Sequence, residues 1–320
     1  MKNNIEAICR VFREKDRFLI ASHENPEGDA IGSQLALALA LRKMGKTATV
    51  LNADPVPGNL AFLPGADSVV YEENGSRYEV AVVVDCGSSE RTGRVQAELC
   101  KPPVLVNIDH HRTNGGCGNY CLVDPEAAAT GILIYRILAA MNVEIDCDVA
   151  VNIYVAILTD TGSFHYANTS PEAFQIAGEM IRRGVDPWAV AEKVYETQSA
   201  DRLRLLGRVL SSLEIAAGGK VAAVTTTKKD LADFSARKDF LEGFINYPRS
   251  VIGVEVAVAF REEDAGEIRV SLRSKGRVDV SAISQAFGGG GHRNAAGCSL
   301  RGPLDEVKRK VYGALEAALR

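Results

Sequence analysis

Four short apolar segments, Phe18–Ala21, Thr47–Leu51, Val80–Val84 and Val104–Ile108, recur along the first third of the chain, with room for a helix or crossover between them. Runs that are apolar throughout, rather than alternating, suit strands buried on both faces, which is the signature of a parallel sheet covered by helices. The intervening and following segments agree. Apolar residues at helical spacing begin at Ile5, Ile8, Cys9 and Phe12, and again over Ala30–Met44, where Gly45 supplies a left-handed cap. Further helices are predicted over Thr130–Met141, Val149–Leu158 and Glu172–Arg183.

Beyond a polar helical connector at 191–212 the pattern changes. Leu213–Ala217 and Val221–Thr226 flank Gly218-Gly219, and Val254–Phe260 and Ile268–Leu272 flank Glu263-Asp264-Ala265-Gly266. Both read as β-hairpins. Helices over Asp279–Phe287 and Leu304–Leu319 complete the second unit. The expected fold is α/β: a parallel-sheet domain at 1–190 with flanking helices, the connector, and a smaller mixed α/β domain at 213–320, with an active cleft between the two.

Apolar runs such as Leu35–Leu41 fall well short of the ~18 residues needed to cross a bilayer. The N-terminus mixes charge with helical periodicity rather than forming a secretory signal. Seven cysteines include no CxxC pair, and Cys117 with Cys121 has no second pair at zinc spacing. These features predict a cytoplasmic, reduced protein with no membrane partner. Charge is uneven: residues 1–190 carry 16 basic against 24 acidic residues, and residues 191–320 carry 21 against 17. An acidic half can furnish carboxylates for divalent cations, and a basic half can hold an anion.

Ligands of a parallel sheet bind beyond the carboxyl ends of its strands. There the sequence places His23, Glu27 and Asp29 after the first strand, Asp85 after the third and Asp109-His110-His111 after the fourth, while Asp160 follows the helix ending at Leu158. Any one of these residues has an ordinary structural reading, such as Asp29 capping its own helix. Together they crowd carboxylates and imidazoles at one edge, and crowded carboxylates repel unless cations neutralise them. Imidazole and carboxylate without thiolate suit Mn²⁺, with Mg²⁺ as the alternative. Even six ligands from among these residues exceed what one open ion needs, whereas two ions suit in-line displacement at phosphorus. The residues therefore predict a two-metal phosphoesterase.

The segments HENPEGDAIGS (23–33), VVVDC (82–86), IDHH (108–111) and LTDTG (158–162), in this order, resemble the DHH phosphoesterase superfamily. RVSLRSKGRVDVSAISQAFGGGGHRNAAG (269–297) resembles its companion DHHA1 domain. Within the superfamily the nearest likeness is to the stand-alone nanoRNase/pAp-phosphatase type. That type hydrolyses very short oligoribonucleotides and 3′-phosphoadenosine 5′-phosphate (pAp). The resemblance implies one ion held by His23, Glu27 and Asp85 and another by Asp29, Asp85, His110 and Asp160, with Asp85 bridging. It implies that Asp109 orients His110 and that His111 faces the scissile phosphate. Glu27 stands where the family usually has Asp; activity is expected to survive the extra methylene.

Gly288–Gly291 and His292 form a stretch with little side-chain bulk, which lets main-chain N–H groups approach an anion. Residues 269–301 hold six basic residues against the single acidic Asp279. By resemblance, Arg273 and His292 grip a substrate phosphate, with Ser274, Gly289, Gly290 and Gly291 beside them. A cleft between the domains would set substrate length, and there is no basic stripe interleaved with aromatics of the kind a long single strand would need. The expected partners are short single-stranded RNA and small nucleotides, with a homodimer as the candidate assembly. Two alternatives stay open: a pApA or cyclic-dinucleotide phosphodiesterase, and a nucleotide-binding regulator with an impaired metal site. An inorganic pyrophosphatase and a RecJ-like exonuclease fit less well.

Overall fold

A computed structural model describes residues 2–72, 75–234, 238–241 and 243–319. The chain divides into two compact units, Met1–Thr197 and Gln198–Arg320. The first contains α1 (Lys2–Glu14), β1 (Arg17–Ala21), α2 (Gly28–Lys43), β2 (Thr47–Val50), β3 (Val80–Val84), α3 (Gln96–Leu99), β4 (Val104–Asp109), β5 (Tyr120–Val123), α4 (Thr130–Met141), α5 (Cys147–Asp160), α6 (Pro171–Arg182) and α7 (Pro187–Tyr195). Its five strands are parallel in the order β2-β1-β3-β4-β5. All five residues of β3 are buried, as expected for a strand covered on both faces.

Chain direction across the sheet reverses between β1 and β3, the topological switch point at which open parallel sheets bind ligands. The strand ends there are nearly level, with Ala21 opposite Val83 and Val84 opposite Ile108. Helix α2 is buried along most of its length and packs against α4 and α5, which brings its first turn over the same edge.

The second unit contains α8 (Ala200–Leu210), β6 (Glu214–Ala216), β7 (Val221–Thr226), α9 (Lys228–Asp233), α10 (Asn246–Ser250), β8 (Val256–Glu262), β9 (Glu267–Ser274), α11 (Val280–Ala286), β10 (Gly290–His292), β11 (Ala295–Arg301) and α12 (Leu304–Ala318). Its sheet runs β10-β11-β9-β8-β7-β6. Both predicted hairpins are present, and β7 lies parallel to β8. One face, with Val256, Val258, Phe260, Val270 and Leu272, packs on Val307, Val311 and Leu315 of α12. On the other face Val224 packs with Leu205 and Val209 of α8 and with Phe244.

Three features differ from the sequence reading. The predicted connector is two helices: α7 buries Val190 and Val194 in the first core, and α8 buries Leu205 and Val209 in the second. Each has its own apolar stripe, so neither is a solvated spacer. Strand β5 was not anticipated, because four residues after a glycine-rich segment carry too little periodicity to register. The glycine run is not wholly a loop, since Gly290–His292 forms the edge strand β10, paired with β11. Among the described residues no helix is long and apolar enough to cross a membrane.

Candidate functional site

Helix α4 begins at Thr130 after Ala129, which has no side chain able to cap it. Its first N–H groups would be orphaned in a buried position. Asp29, from the first turn of α2, takes over that role: Oδ2 accepts from Thr130 N at 2.6 Å and Oδ1 from Gly131 N at 3.0 Å. Ser33 Oγ donates to Oδ1 as well, at 3.0 Å. Asp29 thus caps α4 and not its own helix, whose N-cap is Glu27. Gly131 lets α4 pack closely on α5 at this point, because a Cβ there would lie 2.5 Å from the side chain of Ala156. Thr130 Oγ1 donates to Asp85 Oδ1 at 3.0 Å, so one residue supports both carboxylates.

Asp85 follows β3 directly and adopts a left-handed backbone, φ +54°, which an Asp tolerates better than most residues. The imidazoles of His110 and His23 converge on it. His110 Nδ1 donates to the Ala127 carbonyl at 3.1 Å, which leaves an Nε2 lone pair facing the carboxylates. That Nε2 lies 3.7 Å from Asp29 Oδ2, 3.6 Å from Asp85 Oδ1 and 3.6 Å from Asp160 Oδ2. His23 repeats the arrangement, with Nδ1 on the Glu24 carbonyl at 2.7 Å and Nε2 3.7 Å from Asp85 Oδ2. These separations are too long for hydrogen bonds. In this tautomer every group presents an acceptor to other acceptors, an arrangement that fits a cation among them and little else.

Two overlapping sets of potential ligands result: Asp29, His110 and Asp160, and Asp85, His110 and His111. Within each, the donor atoms lie within 4.8 Å of one another. The electrostatics agree. Burial, followed by the charges of Asp85 and Asp160, drives the Asp29 carboxyl well above its usual range. Asp160 is pushed up to about 6, chiefly by burial, with His110 partly offsetting it. Burial also acts to raise Asp85, but His23, His110 and His111 together outweigh it and the net direction is down. For His23, contact with Asp85 and the Glu24 carbonyl outweighs burial and raises the imidazole. The neighbouring Cys86 thiol donates to Ser88 O and burial lifts it to about 11, so the donor set contains no thiolate.

Glu27 stands outside both sets. It is exposed at the N-cap of α2, and its charge adds to the repulsion on Asp160. Asp160 is the last residue of α5 rather than part of a following loop. Asp109 contacts a different histidine ring from the one expected. Its Oδ1 accepts from His111 Nδ1 at 2.6 Å and from the His110 backbone N at 2.9 Å, while the Ala127 carbonyl orients the His110 ring. The contact with Asp109 raises the His111 pKa and turns its Nε2 away from the buried carboxylate.

Sequence reasoning missed four participants. Asn114 donates to Asp109 Oδ2 at 2.7 Å, and Asn168 donates to Asp160 Oδ2 at 3.2 Å and to the Ala128 carbonyl at 3.1 Å. Thr130 is the third; as the one polar residue between Ala127-Ala128-Ala129 and Gly131–Tyr135, it was the only one with a visible signal. Arg91 is the fourth, its charge reaching both His23 and His111.

In the second unit Arg273 lies on the outer face of β9, half-buried, with His292 in the same cross-sheet row through Ala295. Two strand spacings separate them, about 10 Å. Ser274 is buried on the opposite face and its hydroxyl accepts from Gly276 N at 3.0 Å, which fits a turn-forming role. Gly289 N is occupied by Ser284 O at 2.8 Å, and Cβ atoms at Gly289 or Gly291 would collide with β11. Their smallness therefore has a packing cause. Gly290 has open space, and alternate N–H groups of the edge strand face away from the sheet.

Comparison with known proteins agrees with this division. Residues 17–159 match the DHH family, N-terminal domain, and residues 211–320 match the DHHA1 domain. The chain is 35% identical over 305 residues to a protein of Thermus thermophilus named bifunctional oligoribonuclease and PAP phosphatase NrnA, covering 94% of this chain and 89% of that one. A Bacillus subtilis protein of the same name is 27% identical, with 92% of each chain covered. The crystal structure of an exopolyphosphatase-related protein from Bacteroides fragilis superposes with a TM-score of 0.92 at 29% identity, covering 99% of this chain and 96% of that one.

Proposed function

The chain belongs to the DHH family of phosphoesterases and carries the companion DHHA1 domain, and from that premise we propose that this hydrolase cleaves short oligoribonucleotides to mononucleotides and dephosphorylates pAp with two divalent cations, manganese foremost. The observation that carries the reading is the ring of acceptors around His110 Nε2: three carboxylates at 3.6–3.7 Å with no donor among them. Asp29, Asp85, His110 and Asp160, with His23 at the rim, would hold the ions. Bound there, divalent ions acidify water and draw charge from phosphoryl oxygens.

The chain's own groups account for the remainder. Thr130 and the first turn of α4 keep Asp29 and Asp85 in place, and the Ala127 and Glu24 carbonyls fix the histidine tautomers. His111, held by buried Asp109, presents Nε2 as a donor to a phosphoryl oxygen. Arg273 supplies positive charge and His292 a hydrogen-bonding ring for a substrate phosphate in the second unit, and the names of the T. thermophilus and B. subtilis relatives support the substrate class.

The test is product analysis of labelled two- to five-nucleotide RNAs, pApA and pAp with Mn²⁺. Mononucleotides from the short RNAs and AMP from pAp are expected. Tight binding without cleavage would identify a regulator instead. Cleavage restricted to pApA would identify a dinucleotide phosphodiesterase.

A further inference from the structure

The turn at 124–129 between β5 and α4, together with the first residues of α4, fixes candidate ligands from four separate elements. The Ala127 carbonyl accepts from His110 Nδ1 at 3.1 Å. The Ala128 carbonyl accepts from Asn168 at 3.1 Å, and Asn168 donates to Asp160 Oδ2 at 3.2 Å. Thr130 N and Gly131 N hold Asp29, and Thr130 Oγ1 holds Asp85. A displacement of this one turn would therefore shift His110, Asp160, Asp29 and Asp85 together.

Ala127, Ala128 and Ala129 are buried and offer no polar side chain to hold the turn. Asp124 does so instead. Its Oδ1 accepts from Glu126 N at 3.2 Å, its carbonyl accepts from Ala127 N at 3.1 Å, and its own N–H donates to the Asp109 carbonyl at 3.1 Å. The Asp124 carboxylate is buried, and Arg136 Nη1 on α4 donates to its Oδ2 at 2.6 Å. The other edge of the same guanidinium is clamped by Glu172, in the first turn of α6, with Nε on Oε1 at 2.8 Å and Nη2 on Oε2 at 2.5 Å. Without its cation a buried carboxylate is left uncompensated, so Asp124 would turn toward water or take up a proton. Either change loosens the turn. Lysine cannot replace the fork, because a point charge does not bond along two edges at once.

Resting on the hydrolase reading above for the purpose of the ions, we infer that Arg136 is a positioning residue of the metal site, acting through Asp124 on the turn that sets His110 and the three carboxylates. It touches neither the ligands nor any reacting atom. A brace that merely joined α4 to α6 would make the same ion pairs, but its loss would lower stability without singling out the ligands.

The test compares Arg136→Met with substitutions of Ile137, a buried neighbour on the same helix with no part in the turn: Ile137→Val, or Ile137→Ala where a larger melting shift must be matched. In the metal-free full chain, the Nδ1 proton of His110 should give a protected signal in ¹⁵N-resolved NMR, assigned by its loss in His110→Ala. Arg136→Met should lose that protection and the Ile137 variant should keep it. Mn²⁺ affinity, read from the electron paramagnetic resonance of the free ion, should fall about 10- to 100-fold in Arg136→Met and stay within about twofold in the Ile137 variant. With saturating Mn²⁺, kcat on pAp should fall while KM changes less than about threefold. Arg136→Lys should recover part of the affinity, and it carries the same comparison should Arg136→Met fail to fold. An unchanged His110 signal and affinity in the Arg136 variants, or equal losses in the Ile137 control, overturn the positioning role. Affinities that behave as stated without hydrolysis of short RNA or pAp support Arg136 and defeat the hydrolytic reading. The His110 signal is read without metal, so a parent that takes up no Mn²⁺ defeats that reading while the signal still decides whether Arg136 positions the ring.

Discussion

Asp160→Asn should make the metal-free protein more stable and the catalyst useless, and the size of the first effect follows from the site. The folded carboxyl sits at about 6 against an ordinary 3.8, because burial and Asp85 disfavour its charge. At ~1.36 kcal/mol per pKa unit the full difference approaches about 3 kcal/mol. The side chain is 32% exposed, so solvent screening reduces this to about 2 kcal/mol. A raised folded pKa contributes stability that is complete below about 4 and is lost as pH rises through about 6. Asparagine keeps an oxygen for Asn168 and removes the charge. In EDTA the variant should match the parent at pH 4 and exceed it by about 2 kcal/mol at pH 7.5. Urea unfolding can be followed by circular dichroism and by Trp188, the single tryptophan, which lies in the first unit. Saturating Mn²⁺ should reverse the order, since a ligand at ~100 times its Kd stabilises the parent by about 2.7 kcal/mol and the variant lacks a ligand group. Equal stabilities at pH 7.5 in EDTA, or the same gap at both pH values, would refute the idea of an uncompensated negative cluster.

Other substitutions separate the roles of neighbouring groups. Asp85→Asn or His110→Ala should reduce manganese-dependent turnover by at least 1,000-fold, with far-ultraviolet circular dichroism unchanged; most of the activity surviving in either would show the ligand assignment to be wrong. Asp109→Asn removes the group that raises the His111 pKa, so the alkaline limb of the pH–rate profile should move to lower pH and kcat fall about 100-fold; an unmoved limb would detach His111 from that limb. Glu27→Asp should change activity only a few-fold across a manganese titration, because Glu27 lies outside the two ligand sets; a large gain over a nearly inert parent would show that the glutamate impairs the site.

Much of this was legible in the primary structure because its signals are local. A strand such as Val80–Val84 is apolar throughout because both its faces are covered, and an Asp at its end can only meet the sheet edge. What escaped were pairings set by tertiary approach. Nothing near Asp29 announces that it caps α4, about a hundred residues away, or that Asp109 selects the second histidine of its triplet rather than the first. The same holds for Ser274. Strand alternation places it opposite Arg273 in facing, but that alternation becomes usable only once the register of β9 is known.

Asp29 links the fold to the function. A buried carboxylate facing two others would ordinarily protonate or be expelled. Here it is retained because it also satisfies two N–H groups of a helix that has no cap of its own, and the positive end of that helix favours its charge. The same two hydrogen bonds fix its position, so its oxygens face His110 without needing an ion to order them. Helix packing therefore holds the acidic cluster together, and the repulsion within that cluster is the part of the free energy left for a cation to recover. It follows that metal binding and the stability of the first unit are coupled through Asp29. A variant that caps α4 independently, such as Ala129→Ser, should raise metal-free stability by about 0.5–2 kcal/mol while leaving metal affinity nearly unchanged. A parallel loss of affinity would show that the new hydroxyl takes from Asp29 the N–H groups that fix it, instead of capping alongside it.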